Sequence, residues 1–109
     1  MTPYMRTVLA TAFAGQANHL SLHTADPGNT GASELSGGSY ARAVLTWGTA
    51  SGGSVAASAV SFPVPADTTI THIGFWNGST FLESKLVNVS FVTAGSYAPT
   101  PVYTQLAGV

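Results

Sequence analysis

The sequence predicts a mainly β protein: a single antiparallel β-sandwich or Greek-key barrel of about seven short strands, preceded by a short N-terminal helix. Three observations predict it. Apolar and polar residues alternate in short runs, broken by turn formers roughly every ten residues. A helical period occurs only in residues 1–15. The one Asn-Gly dipeptide, Asn77-Gly78, lies between two alternating runs, TITHIGFW and STFLESKLV. Asn-Gly in that setting is the strongest short-range hairpin signal, because a type I′ turn needs positive φ at both central positions, which Asn tolerates and Gly adopts freely. The chain reads as one domain over residues 1–109, with the helix at 1–15 and the sandwich at 19–107.

In chain order, Thr2 can cap a helix, Pro3 suits its first position and Gly15 can end it. Met5, Val8, Leu9, Ala12 and Phe13 form one apolar stripe, on a helix too short to be stable alone in water. It has to dock, either on its own sandwich or on a partner, and Tyr4 and Met5 are the interface candidates it carries. The segment also imitates a secretion signal, with Arg6 before an apolar run and Ala12-Phe13-Ala14 as an A-x-A site. The run is short for an h-region, so cleavage is not expected.

His19 to Thr24 alternates as a strand, with Leu20 and Leu22 on one face and His19 and His23 on the other. Residues 25–38 form a long polar loop in which Asp26-Pro27-Gly28 is a tight turn. Residues 39–47 alternate again, and residues 48–54 are a Gly/Ser turn. Residues 55–64 read as one Val/Ala/Ser strand that ends near Pro63 and Pro65 or lies at a sheet edge, since proline lacks an amide donor. The hairpin follows, its second strand continuing or restarting at 88–92. Ala94-Gly95-Ser96 turns the chain, and residues 102–106 supply a last strand.

Placing the turn at Asn77-Gly78 sets Trp76 opposite Ser79, Phe75 opposite Thr80, Ile73 opposite Leu82 and His72 opposite Glu83. One face then carries Ile73, Phe75, Leu82 and Leu86 and reads as the core side. The other carries Ile70, His72, Trp76 and Phe81 with Glu83 and Lys85. Such a mixed face is either covered by another element of the chain or offered to a partner, which makes Ile70, His72, Trp76 and Phe81 interface candidates.

Composition narrows the function. Only 6% of residues are charged, against about 25% in an average soluble domain, which favours burial in an assembly, with a trimer as the expected homo-oligomer. Arg6, Arg42 and Lys85 are scattered, so no basic patch exists for nucleic acid. No run approaches the roughly 20 apolar residues of a membrane span. Without cysteine there are no disulfides, thiolate metal sites or cysteine nucleophile.

Chemistry is equally sparse. His19 and His23 share a strand face but stand roughly 13 Å apart at about 3.3 Å per residue, too far to share one metal ion. No G-x-S-x-G elbow occurs, and Asp26, Glu34, Asp67 and Glu83 form no recognisable acid–base pair. Gly48 to Gly53 lacks the Lys-Ser/Thr of a phosphate loop. No catalytic, metal or cofactor residue is expected. The aromatics Tyr40, Trp47, Phe75 and Trp76 read as packing residues, or as a docking or sugar-stacking patch.

Three segments in fixed order resemble a known group: HLSLHTADPGNTGASELSGGSYARAVLTW, then VSFPVPADTTITHIGFW, then TFLESKLV. The T-A-D-P-G turn, the S-G-G-x-Y-A-R segment and the T-x-T-H-x-G-x-W strand are similar to those of small tailed-bacteriophage virion proteins of the tail-fibre, minor-tail or capsid-decoration type. That resemblance implies a non-enzymatic structural protein at the particle surface, made in the host cytoplasm. Its implied partners are the major capsid protein or tail proteins of the same virion. Two functions follow as expectations. The first is a capsid decoration (cement) protein that oligomerises and docks on the shell. The alternative is a tail-fibre or tail-tip module recognising a host surface sugar or protein through its polar loop and exposed aromatics.

Overall fold

The structure, a computed structural model, describes residues 1–105. It is mainly β with one N-terminal helix, as expected. Helix α1 spans Pro3–Gln16, and the strands are β1 His19–His23, β2 Ala43–Val44, β3 Ser54–Ala56, β4 Phe62–Val64, β5 Thr68–Asn77, β6 Thr80–Phe91, β7 Gly95–Tyr97 and β8 Val102–Thr104. All strand pairs are antiparallel. They form a four-stranded sheet in the order β2-β1-β5-β6 and two ribbons, β3-β8 and β4-β7.

Helix α1 begins as anticipated. The Thr2 hydroxyl accepts the Met5 amide at 3.2 Å, and Pro3 takes the first turn, where its missing N–H leaves no bond unmade. The helix runs through Gly15 and ends when the Ala17 amide bonds Phe13 O at 2.9 Å. It packs on β3 and β8, so the docking partner of one side is its own chain. That side carries Ala10 and Phe13, with Ala17 just past the helix end; of the stripe expected from spacing, Phe13 and Leu9 are half-buried while Met5, Val8 and Ala12 are exposed. Phe13 stacks on Tyr103 at 3.9 Å and meets Phe75 edge-on at 5.3 Å.

The core joins Leu20, Leu22, Ile73 and Phe75 of the four-stranded sheet to Leu35, Leu45, Ala57, Phe62 and Val64 from the segments packed on it. Leu20 stands opposite Phe75 and Leu22 opposite Ile73, so the inward row of β1 continues into β5.

Several expected strands are shorter or divided. Residues 39–47 give only β2 and a Trp47–Ala57 bridge. Residues 55–64 split into β3 and β4: the Ala57 amide turns to Pro101 O at 2.8 Å and the Ser58 amide to Thr46 O at 2.9 Å. Pro63 sits in a two-stranded ribbon, opposite Ser96, in accord with its missing donor. Of residues 94–96, expected as a turn, Gly95 and Ser96 belong to β7 instead, and the chain bends earlier, at Val92-Thr93. The last strand is β8; its expected extension to Leu106, and the sandwich boundary at 107, lie outside the described residues.

The central hairpin exists, with a corrected register. Asn77 pairs with Thr80, leaving Gly78-Ser79 as the two-residue loop. Gly78 takes φ of 56° while Ser79 does not enter the left-handed region, the pattern of a type II′ turn. The displacement has a tertiary cause. Asn18 Oδ1 accepts the Gly78 amide at 2.9 Å, and Asn77 Nδ2 donates to Gln16 Oε1 at 3.0 Å, so Asn77 is held in the strand by the α1–β1 connection. Strand β6 also contains two bulges, with Leu82 unmatched between the Trp76–Phe81 and Phe75–Glu83 pairs and a second irregularity opposite Thr71. Together they turn Leu82 and Leu86, expected in the core, out to solvent.

Candidate functional site

The side of the sheet away from Phe75 carries the groups that sequence spacing placed on a mixed face. Pairing sets His19 opposite Trp76, Ser21 opposite Gly74 and His23 opposite His72, so these residues share a face. Both strand histidines do lie opposite Leu20 and Leu22, as alternation requires. The face is not open, however. A strap of residues 24–42 folds over it, fixed by Thr24 N–H to Ser33 O at 3.0 Å and Leu35 N–H to Leu22 O at 2.8 Å.

Beneath the strap runs one hydrogen-bonded chain. Trp76 Nε1 donates to Ser21 Oγ at 2.7 Å, Ser21 Oγ lies 2.6 Å from His23 Nε2, and His23 Nδ1 lies 2.8 Å from Ala32 O. A carbonyl only accepts, so Nδ1 carries a proton and, in the neutral ring, Nε2 accepts the Ser21 hydroxyl. Burial pushes the His23 pKa down, against the opposing pull of the Ala32 carbonyl and the Glu34 charge. Ser21 and His23 are both 0% exposed. Their contact resembles a nucleophile and base, but it is sealed beneath the strap and serves to tie strap to sheet.

Two glycines make this possible. A Cβ on Gly74 would stand 2.6 Å from Ser21 Oγ and 2.7 Å from His23 Nε2. At Gly31, whose φ is 78°, a Cβ would collide with the Trp76 ring. Each allows a close approach that any side chain would block.

An ion pair closes the strap's far end. Arg42 donates through Nε to Glu34 Oε2 at 3.0 Å and through Nη2 to Oε1 at 2.9 Å, a forked contact. Tyr40 donates to Glu34 Oε2 at 2.7 Å while accepting the Leu22 amide at 3.0 Å. Burial alone would raise the Glu34 pKa, but the Arg42 and Tyr40 bonds together hold it below the usual carboxylate range. Burial, with the Glu34 contact, drives the Tyr40 hydroxyl well above its ordinary value.

The interface candidates separate into three groups. Ile70 is 0% exposed and belongs to the core, and Trp76, at 6%, lies under Gly31 and Arg42. His72 and Phe81 are half-buried, Phe81 meeting the rings of Trp76 and His23 edge-on at 5.1 and 6.1 Å. Tyr4, at 79%, and Met5 are exposed on the outer side of α1. The covering of the mixed face therefore comes from the chain itself. Ser21, Glu34 and Arg42 were not marked by spacing. The available signal was the isolated glycine at position 74 inside a strand, which indicates a close approach.

His72 stands opposite His23 across the β1–β5 pair, but the rings keep separate partners: His72 Nδ1 lies 2.9 Å from Thr71 Oγ1, and His19 Nδ1 lies 2.7 Å from Asn18 Oδ1. Among the described residues no group of three or more His, Asp or Glu could hold a metal ion, and no helix is long and apolar enough to cross a membrane.

No curated protein and no solved structure matches the chain. A family model does, over residues 4–81, a stretch that takes in α1, the strap and the β5 strand of the hairpin. With well over half its length matched, the chain belongs to the family described as podophage GP4 fiber I protein gp80, and is a phage fibre-type virion protein.

Proposed function

We propose that the chain is a non-enzymatic module of a phage tail fibre, held among other virion proteins and presenting a rigid surface toward the host. The observation that carries this reading is the family match, which spans the helix, the strap and the central strand together. It favours the fibre alternative over capsid decoration, for which the match gives no support. The geometry fits a presenting role. The strap is braced at His23, Tyr40 and Arg42, while its turn at residues 26–30 is exposed except for Pro27. A stiff loop on a sheet reduces the ordering cost of binding a host surface sugar or protein.

Copy number and position on the purified virion test it. A few copies per particle, with antibody label at the tail, are expected. Copy numbers comparable with the major capsid protein and label over the shell would replace this reading with decoration. Glycan-array or cell binding by the full chain, weakened by substitutions at residues 28–30 but not by Tyr4→Ser, is the expected mark of recognition through the strap.

A further inference from the structure

Strand β6 is the longest strand of the chain and the outer edge of the four-stranded sheet. Among the described residues no strand pairs with that edge. The neighbouring β8 is reached by Lys85, whose Nζ donates to Val102 O at 3.4 Å. Beside the edge lies an open cleft of about 270 Å³, lined by Glu83, Ser84, Lys85, Phe75 and residues 102–104.

A free edge is a template for another strand, and this one has a self-complementary sequence. Leu82-Glu83-Ser84-Lys85-Leu86 reads as a chemical palindrome about Ser84. In antiparallel pairing, directly opposed residues share a face and interact. A second copy placed with its Ser84 opposite Ser84 sets Glu83 against the partner's Lys85 and Lys85 against the partner's Glu83. The same register sets Leu82 and Leu86 against the partner's Leu86 and the partner's Leu82. These leucines are 36% and 73% exposed in the isolated chain. Shifting the register by one residue puts a charge opposite a leucine, and shifting it by two puts a like charge opposite itself. The regular strand between the two bulges of β6, Glu83–Leu86, holds the Glu-Ser-Lys centre of this register, and Leu82 sits at the first bulge, at the margin of the contact.

We propose that the chain self-associates through β6, two copies pairing their edge strands antiparallel about a two-fold axis at Ser84. Such a contact uses the same patch on both copies and closes on itself, giving a dimer rather than the expected trimer. About five residues a side is small beside the roughly 800 Å² per partner of a standard interface, so the dimer is reversible on dilution. This inference does not rest on the fibre reading.

The absence of native cysteine gives a direct test. Opposed residues in an antiparallel pair have Cα atoms about 4.5–5.5 Å apart, within disulfide reach. Under mild oxidation, the Ser84→Cys chain should form a covalent dimer at least about tenfold faster than Ser90→Cys, which lies off the axis, because pairing raises the effective thiol concentration. Sedimentation of the unmodified chain should show a monomer–dimer equilibrium. Lys85→Glu should shift it to monomer, and Glu83→Lys combined with Lys85→Glu should restore it, with circular dichroism unchanged because both side chains are exposed. Strict monomer, a trimer, a dimer indifferent to Lys85→Glu, or Ser84→Cys oxidising no faster than Ser90→Cys would each overturn the proposal.

Discussion

The guanidinium carbon of Arg42 lies 3.5 Å from the centroid of the Trp76 ring, so the strap's one arginine covers the residue that spacing had offered to a partner. The same guanidinium forks to Glu34, and one side chain thereby joins the end of the strap to the sheet beneath it.

Removing Arg42 should loosen that join. Exposed ion pairs contribute about 0–1 kcal/mol, and a cation over an aromatic ring about 0.5–1 kcal/mol. Arg42→Ala should therefore destabilise the chain by about 0.5–2 kcal/mol in urea unfolding, with faster amide exchange at Ala32 to Leu35. Arg42→Lys should recover little, since a lysine cannot fork to a carboxylate. A loss below a few tenths of a kcal/mol would mean that backbone bonds alone hold the strap.

Gly74 and Gly15 form an opposed pair of substitutions. Gly74→Ala forces a methyl against Ser21 and His23, and overpacking of this kind costs roughly 1–3 kcal/mol. Gly15 is helical, with nothing within 4 Å of an added Cβ. Gly15→Ala should raise stability by about 0.5–1 kcal/mol by removing the helix penalty of glycine. Equal effects at the two positions would contradict the close approach at Gly74.

Acid should weaken the strap, through His23 first. Burial sets its folded pKa below its ordinary value near 6.5. Between those two values the unfolded chain binds more protons, so stability rises with pH. The contribution is complete above the ordinary value and is lost as pH falls below it. Glu34, whose folded pKa is also lowered, adds a loss in the same direction at more acid pH, below the ordinary carboxylate value. Unfolding free energy measured from pH 7 to pH 5 should decline, and His23→Gln should flatten the decline. An unchanged slope in His23→Gln would place the proton uptake elsewhere.

The parts of this fold that were legible in the sequence are those set by local chemistry. Thr2 and Pro3 start the helix where capping rules place them, and Leu20 and Leu22 fall opposite His19 and His23 because side chains alternate along any strand. What was illegible depends on contacts distant in sequence. The hairpin loop moves by one residue because Asn18 captures the Gly78 amide across the fold. Residues 55–64 divide because Ala57 finds its acceptor at Pro101. Trp76 is hidden because the strap returns over it, and alternation assigns a residue to a face without saying what covers that face.

The helix shows the same limit in a measurable form. Counting apolar residues gave a stripe through Met5, Val8, Leu9, Ala12 and Phe13, yet Met5, Val8 and Ala12 are exposed with Tyr4, while Leu9 is half-buried and Ala10 and Phe13 meet the body. The buried side was set by a single large ring, Phe13, wedged among Trp47, Phe75 and Tyr103. Phe13→Ala should cost about 3–5 kcal/mol if the site behaves as a buried aromatic, somewhat less for the part left exposed. Tyr4→Ser should change stability by no more than about 0.5 kcal/mol, as for surface substitutions generally. Chemical denaturation of the two variants decides the orientation of α1. A Tyr4→Ser loss as large as that of Phe13→Ala would rotate the helix back to the stripe its spacing suggested.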